Sequence, residues 1–227
     1  MERDCVFTEK IIDNNSVVLY HGSEKILRTP ELGKGGINND YGQGFYCTKN
    51  KALAGEWAVL WTERDGYINE YSFDYTGLKI LYLNRMPVEN WIAVLVANRK
   101  GEYKKEYKRR MDMFLNEFGM NIAAYDVIEG WRADDSFYTY IRDFFAAALS
   151  LEKLKEAMSF GDLGNQICLK SKKAFDTISF NAYYPAPVSE FLQSAKDRDE
   201  EARRKYAEME GTMRGTLLVD LIGRENL

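Results

Sequence analysis

The chain has 227 residues, of which 45% are hydrophobic and 14% aromatic, so it can bury a core without a disulfide or metal staple. Its 31 Lys and Arg against 35 Asp and Glu give a net charge of −4, which argues against a fold-wide basic surface for nucleic acid phosphates. The three cysteines, Cys5, Cys47 and Cys168, form no CxxC pair. That usage fits a reducing cytoplasm and argues against structural zinc.

The start of the sequence lacks the cationic segment and apolar run of a signal peptide. The apolar stretches fall short of the roughly 18 residues that a membrane helix needs. We therefore expect one soluble, cytoplasmic globular unit with no membrane partner.

Strands and helices are mixed along the sequence without strict βαβ alternation, which favours an α+β fold. The pattern predicts a strand at 17–21, a Gly- and Asn-rich surface loop at 30–44, a strand at 45–48, a helix at 49–63, a hairpin of 67–73 and 78–83, helical structure over 88–118, a strand at 125–128, helices up to 149 and at 151–158, strands at 166–169 and 177–180, and an exposed charged helix at 188–210.

The sequence contains one histidine, His21, so any Ser/His/Asp or Cys/His catalytic scheme must use it. Neither glycine cluster of the 30–44 loop has phosphate-loop spacing. Asp134 and Asp135 form either a carboxylate pair or the cap of a following helix. The basic run at 104–110 is either a nucleic acid contact or a solvated helix face, and its acidic neighbours favour the latter.

Two segments become informative as a pair, because each ends a short strand beside glycines. They are LYHGS at 19–23 and YGQGFYCT at 41–48. Their His21-Gly22-Ser23 and Gly44-Phe45-Tyr46 runs resemble the ADP-ribosyltransferase superfamily, in the branch of diphtheria toxin and the poly-ADP-ribose polymerases. Trp57 stands eleven residues after Tyr46, where that branch has a second aromatic.

The third signature residue of that branch opens a later strand and is usually Glu. The matching residue here is Gln166 in GNQICLKS. The wider pattern is similar to a bacterial group of toxin-like ADP-ribosyltransferase domains. The resemblance implies a cleft between two small, mostly antiparallel sheets, with residues 1–185 as the family-like domain and residues 186–227 as a helical extension packed on it.

The resemblance also implies NAD⁺ as substrate, with His21, Tyr46 and Gln166 as catalytic residues and with Gly22, Ser23 and Trp57 helping to bind the cofactor. Two aromatics suit a planar pyridinium, since a desolvated cation–π contact contributes on the order of 1–2 kcal/mol. Gly22, without a Cβ, would let its backbone approach the carboxamide. An amide at 166 can hydrogen-bond the ribose 2′-hydroxyl but cannot carry a charge, which argues against chain-building polymerase activity.

We therefore expect a mono-ADP-ribosyltransferase that modifies a macromolecular acceptor in a toxin or defence setting. The alternatives are a catalytically silent NAD-binding module and an NAD glycohydrolase. The predicted C-terminal helix should lie outside the cleft. We expect a small inhibitory antitoxin to contact either this helix or the 30–44 loop. The candidate docking stripe on the helix consists of Phe191, Leu192, Ala195, Ala202, Tyr206 and Met209.

Overall fold

The computed structural model describes residues 16–99, 107–133, 135–160 and 164–223, without the side chains at 135 and 136. Two small sheets and surrounding helices form a mixed fold that is consistent with the α+β class. The strands are β1 (Ser16–Ser23), β2 (Phe45–Cys47), β3 (Gly66–Asp74), β4 (Ile80–Tyr82), β5 (Val127–Trp131), β6 (Asn165–Leu169) and β7 (Ile178–Ala186).

The helices pack around these strands, and two 3₁₀ turns lie at Leu83–Arg85 and Ile122–Ala124. The helices are α1 (Lys51–Val59), α2 (Val88–Asn98), α3 (Lys108–Phe118), α4 (Asp135–Phe145), α5 (Leu151–Met158), α6 (Lys172–Asp176), α7 (Val188–Ala207) and α8 (Leu218–Ile222). Within the described ranges, none of them has both the length and the apolar character needed to cross a bilayer.

The two sheets meet at the end of β1. One sheet is antiparallel with the order β1-β3-β7, and the other has the order β2-β6-β5-β4, in which β4 and β5 are parallel. The backbone N–H of Tyr20 donates to the Thr48 carbonyl at 2.8 Å, and the Thr48 N–H donates back at 2.9 Å. This bridge holds His21, the next residue of β1, beside the second sheet.

The register of the second sheet decides which side chains share a face. Tyr46 pairs directly with Cys168 across β2 and β6, and Gln166 lies two residues from Cys168. Directly paired residues, and residues two apart on one strand, point to the same side of a sheet. Tyr46 and Gln166 therefore share one face.

The main core surrounds α2, whose apolar residues are buried on nearly every side, as expected for a helix in the interior. Helix α1 packs on the first sheet at very short range. A Cβ at Gly22 would lie 1.8 Å from the carbonyl oxygen of Ala54 in α1. The absence of a side chain at Gly22 is therefore required by this helix contact.

The predicted hairpin is wrong. Its first strand is β3 of the first sheet, whereas its second is β4, which pairs in parallel with β5 in the other sheet. The turn between them does form, with Asp74 accepting from the backbone N–H of Thr76 at 2.8 Å. The chain uses this turn to cross between sheets, because long-range pairing with β5 outweighs the local pairing.

The predicted docking stripe on the C-terminal helix is also wrong, because α7 uses it to pack on the rest of the chain. The Phe191 ring fills the space above Gly55 of α1, where a Cβ would lie 2.4 Å from it. Ala195 and Ala202 are buried. Further along, the Tyr206 and Tyr140 rings lie 4.2 Å apart between centroids. This apolar side is thus covered from within the molecule.

Candidate functional site

A cavity of about 680 Å³ opens where the two sheets meet. Its walls come from β1, the loop after it, β2, α1, the ends of α2 and β5, β6 and α7. The structure brings five of the six sequence-predicted site residues to this cavity, namely His21, Gly22, Tyr46, Trp57 and Gln166.

Ser23 is not part of the cavity lining. Its hydroxyl donates to the carbonyl of Lys25 at 2.7 Å and accepts from the Asn69 amide at 3.0 Å. Asn69 is fully buried and also accepts from the Leu27 N–H at 2.8 Å. The role of Ser23 in this geometry is to fix the turn by which the chain leaves β1 for the loop over the cavity.

The tautomer of His21 is defined by its neighbour. His21 Nδ1 lies 2.7 Å from the backbone oxygen of Tyr46. A carbonyl only accepts, so Nδ1 carries the proton and neutral His21 keeps Nε2 as an acceptor. Burial lowers the pKa of His21, against a smaller opposing effect of the Tyr46 hydrogen bond. The ring packs on Phe45 with centroids 4.5 Å apart, and its chemistry at neutral pH is therefore that of a fixed acceptor.

Tyr46 connects β2 to the loop above the cavity. Its hydroxyl donates to the carbonyl of Gly42 at 2.7 Å and accepts from the Tyr41 N–H at 3.0 Å. The two tyrosine rings stack with centroids 6.3 Å apart. Burial raises the pKa of Tyr46 well above its usual value. The Tyr46 hydroxyl thus serves the loop, and the ring is the part that a ligand can use.

Trp57, on α1, has a cation on one face. The Arg132 guanidinium lies over its ring, 5.2 Å from the centroid. A planar ligand ring could therefore stack only on the opposite face. The Trp57 indole N–H is buried and has no hydrogen-bond partner among the described residues.

Gln166 is bound to a buried acid that sequence reasoning missed. Its Nε2 donates to Asp40 Oδ2 at 2.6 Å, and Asp40 and Gln166 are only 2% and 5% exposed. Asp40 also pairs with Arg99 at 2.5 Å and accepts from the Ala133 N–H at 2.9 Å. Asp40 stands in the Gly- and Asn-rich loop, where no periodicity marks it, and its three partners are distant in the sequence.

A second missed acid joins α1 to α7. Glu56 is 4% exposed and lies 2.6 Å from Arg198 Nη2. Burial raises the pKa of Glu56, and the nearby Arg198 and Arg132 oppose that rise. Through this pair the polar side of α7 forms one wall of the cavity. The prediction that this helix lies outside the cleft is therefore wrong, because a charge buried on α1 holds it there.

The described residues also bear on cysteine and metal chemistry. Cys47 and Cys168 are buried, and burial raises the pKa of both thiols, to about 12 for Cys168. The described residues contain no cluster of three His, Cys, Asp or Glu side chains that could hold a metal. Asp134, the side chain of Asp135 and residues 104–106 of the basic run lie outside the described residues.

Comparison with known proteins gives a match to the part of the chain that forms most of the cavity lining. A family model described as "Protein of unknown function (DUF3990)" matches residues 17–180, which include β1, β2 and β6 with all the predicted site residues. No curated protein and no solved structure matches the chain. Helix α7, which lines the cavity, lies beyond the matched residues.

Proposed function

We propose that this chain, which belongs to the DUF3990 family, is an NAD⁺-dependent mono-ADP-ribosyltransferase that modifies a macromolecular acceptor. The observation that carries the proposal is the meeting of His21, Tyr46 and Gln166, from three separate strands, at one cavity. These residues occupy the three positions on which the resemblance to the ADP-ribosyltransferase superfamily depends.

The size and charge of the cavity suit a dinucleotide. Ligand pockets commonly span about 300–1,000 Å³, and this one has about 680 Å³. NAD⁺ combines a cationic pyridinium with an anionic diphosphate, and the lining contains both signs of charge. The basic residues are Lys34, Arg99, Arg132, Lys196, Arg198 and Arg203, and the acidic ones are Glu31, Asp40, Glu56 and Asp199.

Two buried donors on the cavity walls also favour a ligand with acceptor oxygens. Trp57 Nε1 and Arg198 Nη1 have no hydrogen-bond partner among the described residues. Buried donors are nearly always satisfied in native proteins. The oxygens of a carboxamide, a ribose or a phosphate would give these donors the hydrogen-bond acceptors that they lack.

The proposed reaction breaks the bond between nicotinamide and ribose C1′. The electron pair of that bond leaves with nicotinamide, which becomes neutral, while C1′ gains oxocarbenium character. The acceptor forms its bond to C1′ and loses its proton to water. His21 Nε2 would accept a hydrogen bond from a ribose hydroxyl, and the Tyr46 and Trp57 rings would hold the pyridinium. The site thus acts by orienting the sugar more than by supplying a nucleophile.

The toxin or defence setting and an inhibitory partner are part of the same proposal. Because the stripe of α7 packs against the rest of the chain, the 30–44 loop is the surface that we propose for a small inhibitory protein. Leu32 and Ile37 of this loop are 51% and 68% exposed. The loop borders the cavity, so a protein bound there would block entry of the acceptor.

The test is incubation of cell lysate with NAD⁺ labelled on the adenine side, followed by separate protease and nuclease digestion of the labelled product. We expect label on a macromolecule that only one of the two digestions releases. His21→Ala is the matched inactive variant. Release of free nicotinamide without labelled macromolecule would instead identify a glycohydrolase, and binding without release would identify a silent module.

A further inference from the structure

The carboxylate of Asp40 occupies a defined place beside the third signature residue. Asp40 Oδ2 accepts from Gln166 Nε2 at 2.6 Å and from the Ala133 N–H at 2.9 Å, while Oδ1 accepts from Arg99 Nε at 2.7 Å. Both Asp40 and Gln166 line the cavity. A buried carboxylate with three donors has its position fixed by them.

This contact determines which way the Gln166 amide faces. The second neighbour of Nε2 is the backbone oxygen of Trp131 at 3.4 Å. Asp40 Oδ2 and the Trp131 carbonyl are both acceptors, so the nitrogen and not the oxygen of the amide must point at them. Gln166 Oε1, on the other branch of the amide, is the acceptor of this side chain.

The acid and the amide together occupy the place of one carboxylate. A glutamate at this strand position would offer an acceptor oxygen to the ribose 2′-hydroxyl. Here Gln166 has the acceptor oxygen, and Asp40 lies within hydrogen-bond distance of the same amide. The Asp40 carboxylate is ion-paired with Arg99, so its contribution to the site is the orientation of the amide.

We propose that Asp40 is a positioning residue that orients the Gln166 amide, at the third signature position, from the loop. The inference rests on the proposed function, since it concerns the ribose of NAD⁺. It assigns to the 30–44 loop a part in the reaction as well as in covering the cavity.

For Gln166→Glu we expect an unusual dependence of activity on pH. That change places two carboxyl groups about as close as the present hydrogen bond, and the charge of the first carboxylate opposes ionisation of the second. At acidic pH the pair shares one proton, and the introduced carboxyl group, when protonated, donates to Asp40 as the amide does. As the pH rises, the shared proton is lost and the two groups repel each other. Nicotinamide release by Gln166→Glu should therefore decline with rising pH, whereas that of the wild type should not.

Exchanging the two groups provides the matched control. Asp40→Asn combined with Gln166→Glu restores one acid and one amide in contact, although the new loop amide has one acceptor oxygen for Arg99 and Ala133 where the carboxylate has two. A hydrogen bond to a charged group is worth about 1.5–3 kcal/mol, or roughly tenfold or more in rate. We expect each single variant to lose about tenfold or more of nicotinamide release near pH 8, and the double variant to exceed both.

The experiment measures NAD⁺ affinity by calorimetry and nicotinamide release over the pH range for the wild type and the three variants, with thermal melting as the fold check. Wild-type release, a pH-dependent loss in Gln166→Glu and partial rescue in the double variant support the inference. Gln166→Glu as active as the wild type at every pH overturns it and leaves the proposed function standing, even if Asp40→Asn does not fold. A wild type that fails to bind NAD⁺, or binds it without release, overturns the proposed function and the inference with it.

Discussion

His21 Nδ1 lies 2.7 Å from the backbone oxygen of Tyr46, so the end of β1 is joined to β2 through a side chain. One contact thereby sets the tautomer of the only histidine in the sequence and the separation of two of the three signature residues. This hydrogen bond does not depend on a ligand, because His21 and Tyr46 belong to the strands β1 and β2.

The titration of His21 follows from its burial. Its pKa should lie below 6.5, because desolvation disfavours the imidazolium. The folded state then binds fewer protons than the unfolded state, so the free energy of unfolding falls as the pH drops from about 6.5 through the folded pKa. A single histidine gives a single ring signal in NMR, which makes the pKa directly measurable. A pKa at or above 6.5 would contradict the buried, neutral ring.

Gly22→Ala should destabilise the protein by at least about 2 kcal/mol, because its Cβ would meet the backbone of α1. Gly36→Ala is the matched control, since it borders the same cavity but its Cβ would approach nothing closer than 3.4 Å. Denaturant unfolding of both variants measures the difference. Equal stability would mean that α1 does not sit on Gly22.

Removing Arg198 should destabilise the protein more than removing the pair. Arg198→Ala leaves Glu56 buried without its close partner and should cost about 2 kcal/mol. Glu56→Gln in the same chain should recover part of that loss, because no buried charge is then stranded. A double-mutant cycle by urea unfolding gives the coupling. Strictly additive effects would mean that Arg198 and Glu56 are not coupled, and would contradict the contact by which α7 joins the cavity wall.

Cys47 and Cys168 should resist thiol reagents in the folded protein, because both are buried and their pKa values are raised. Maleimide labelling with peptide mapping checks this, and the same reaction in guanidinium serves as the positive control. Rapid native labelling of either residue would reopen cysteine chemistry at this site.

The strands that hold His21 and Tyr46 were predictable because their signals are local. Runs of β-branched and aromatic residues mark β1 and β2. The strand predicted to end at His21 runs on to Ser23. Trp57 follows from its spacing on α1. The same local reasoning joined β3 to a following strand and so produced a hairpin that does not form, because β4 has its partner in β5.

Asp40 and α7 show what local patterns do not carry. The position of Asp40 depends on Arg99, Ala133 and Gln166, all more than fifty residues away. The charges of α7 look uniform around the helix, and only the burial of Glu56 on another element selects Arg198 as its inward residue. Both features depend on tertiary contacts that select one polar residue among many similar ones, so the sequence does not single them out.

The most direct test of the account is calorimetric titration of NAD⁺ into the wild-type chain, with His21→Ala, Tyr46→Ala and Tyr46→Phe alongside. We predict saturable binding at one site that is lost in both alanine variants and retained in Tyr46→Phe, because the ring and not the hydroxyl faces the ligand. Melting curves confirm that each variant is folded. Absence of NAD⁺ binding by the wild type, or undiminished binding by folded His21→Ala and Tyr46→Ala, would contradict the assignment of this cavity.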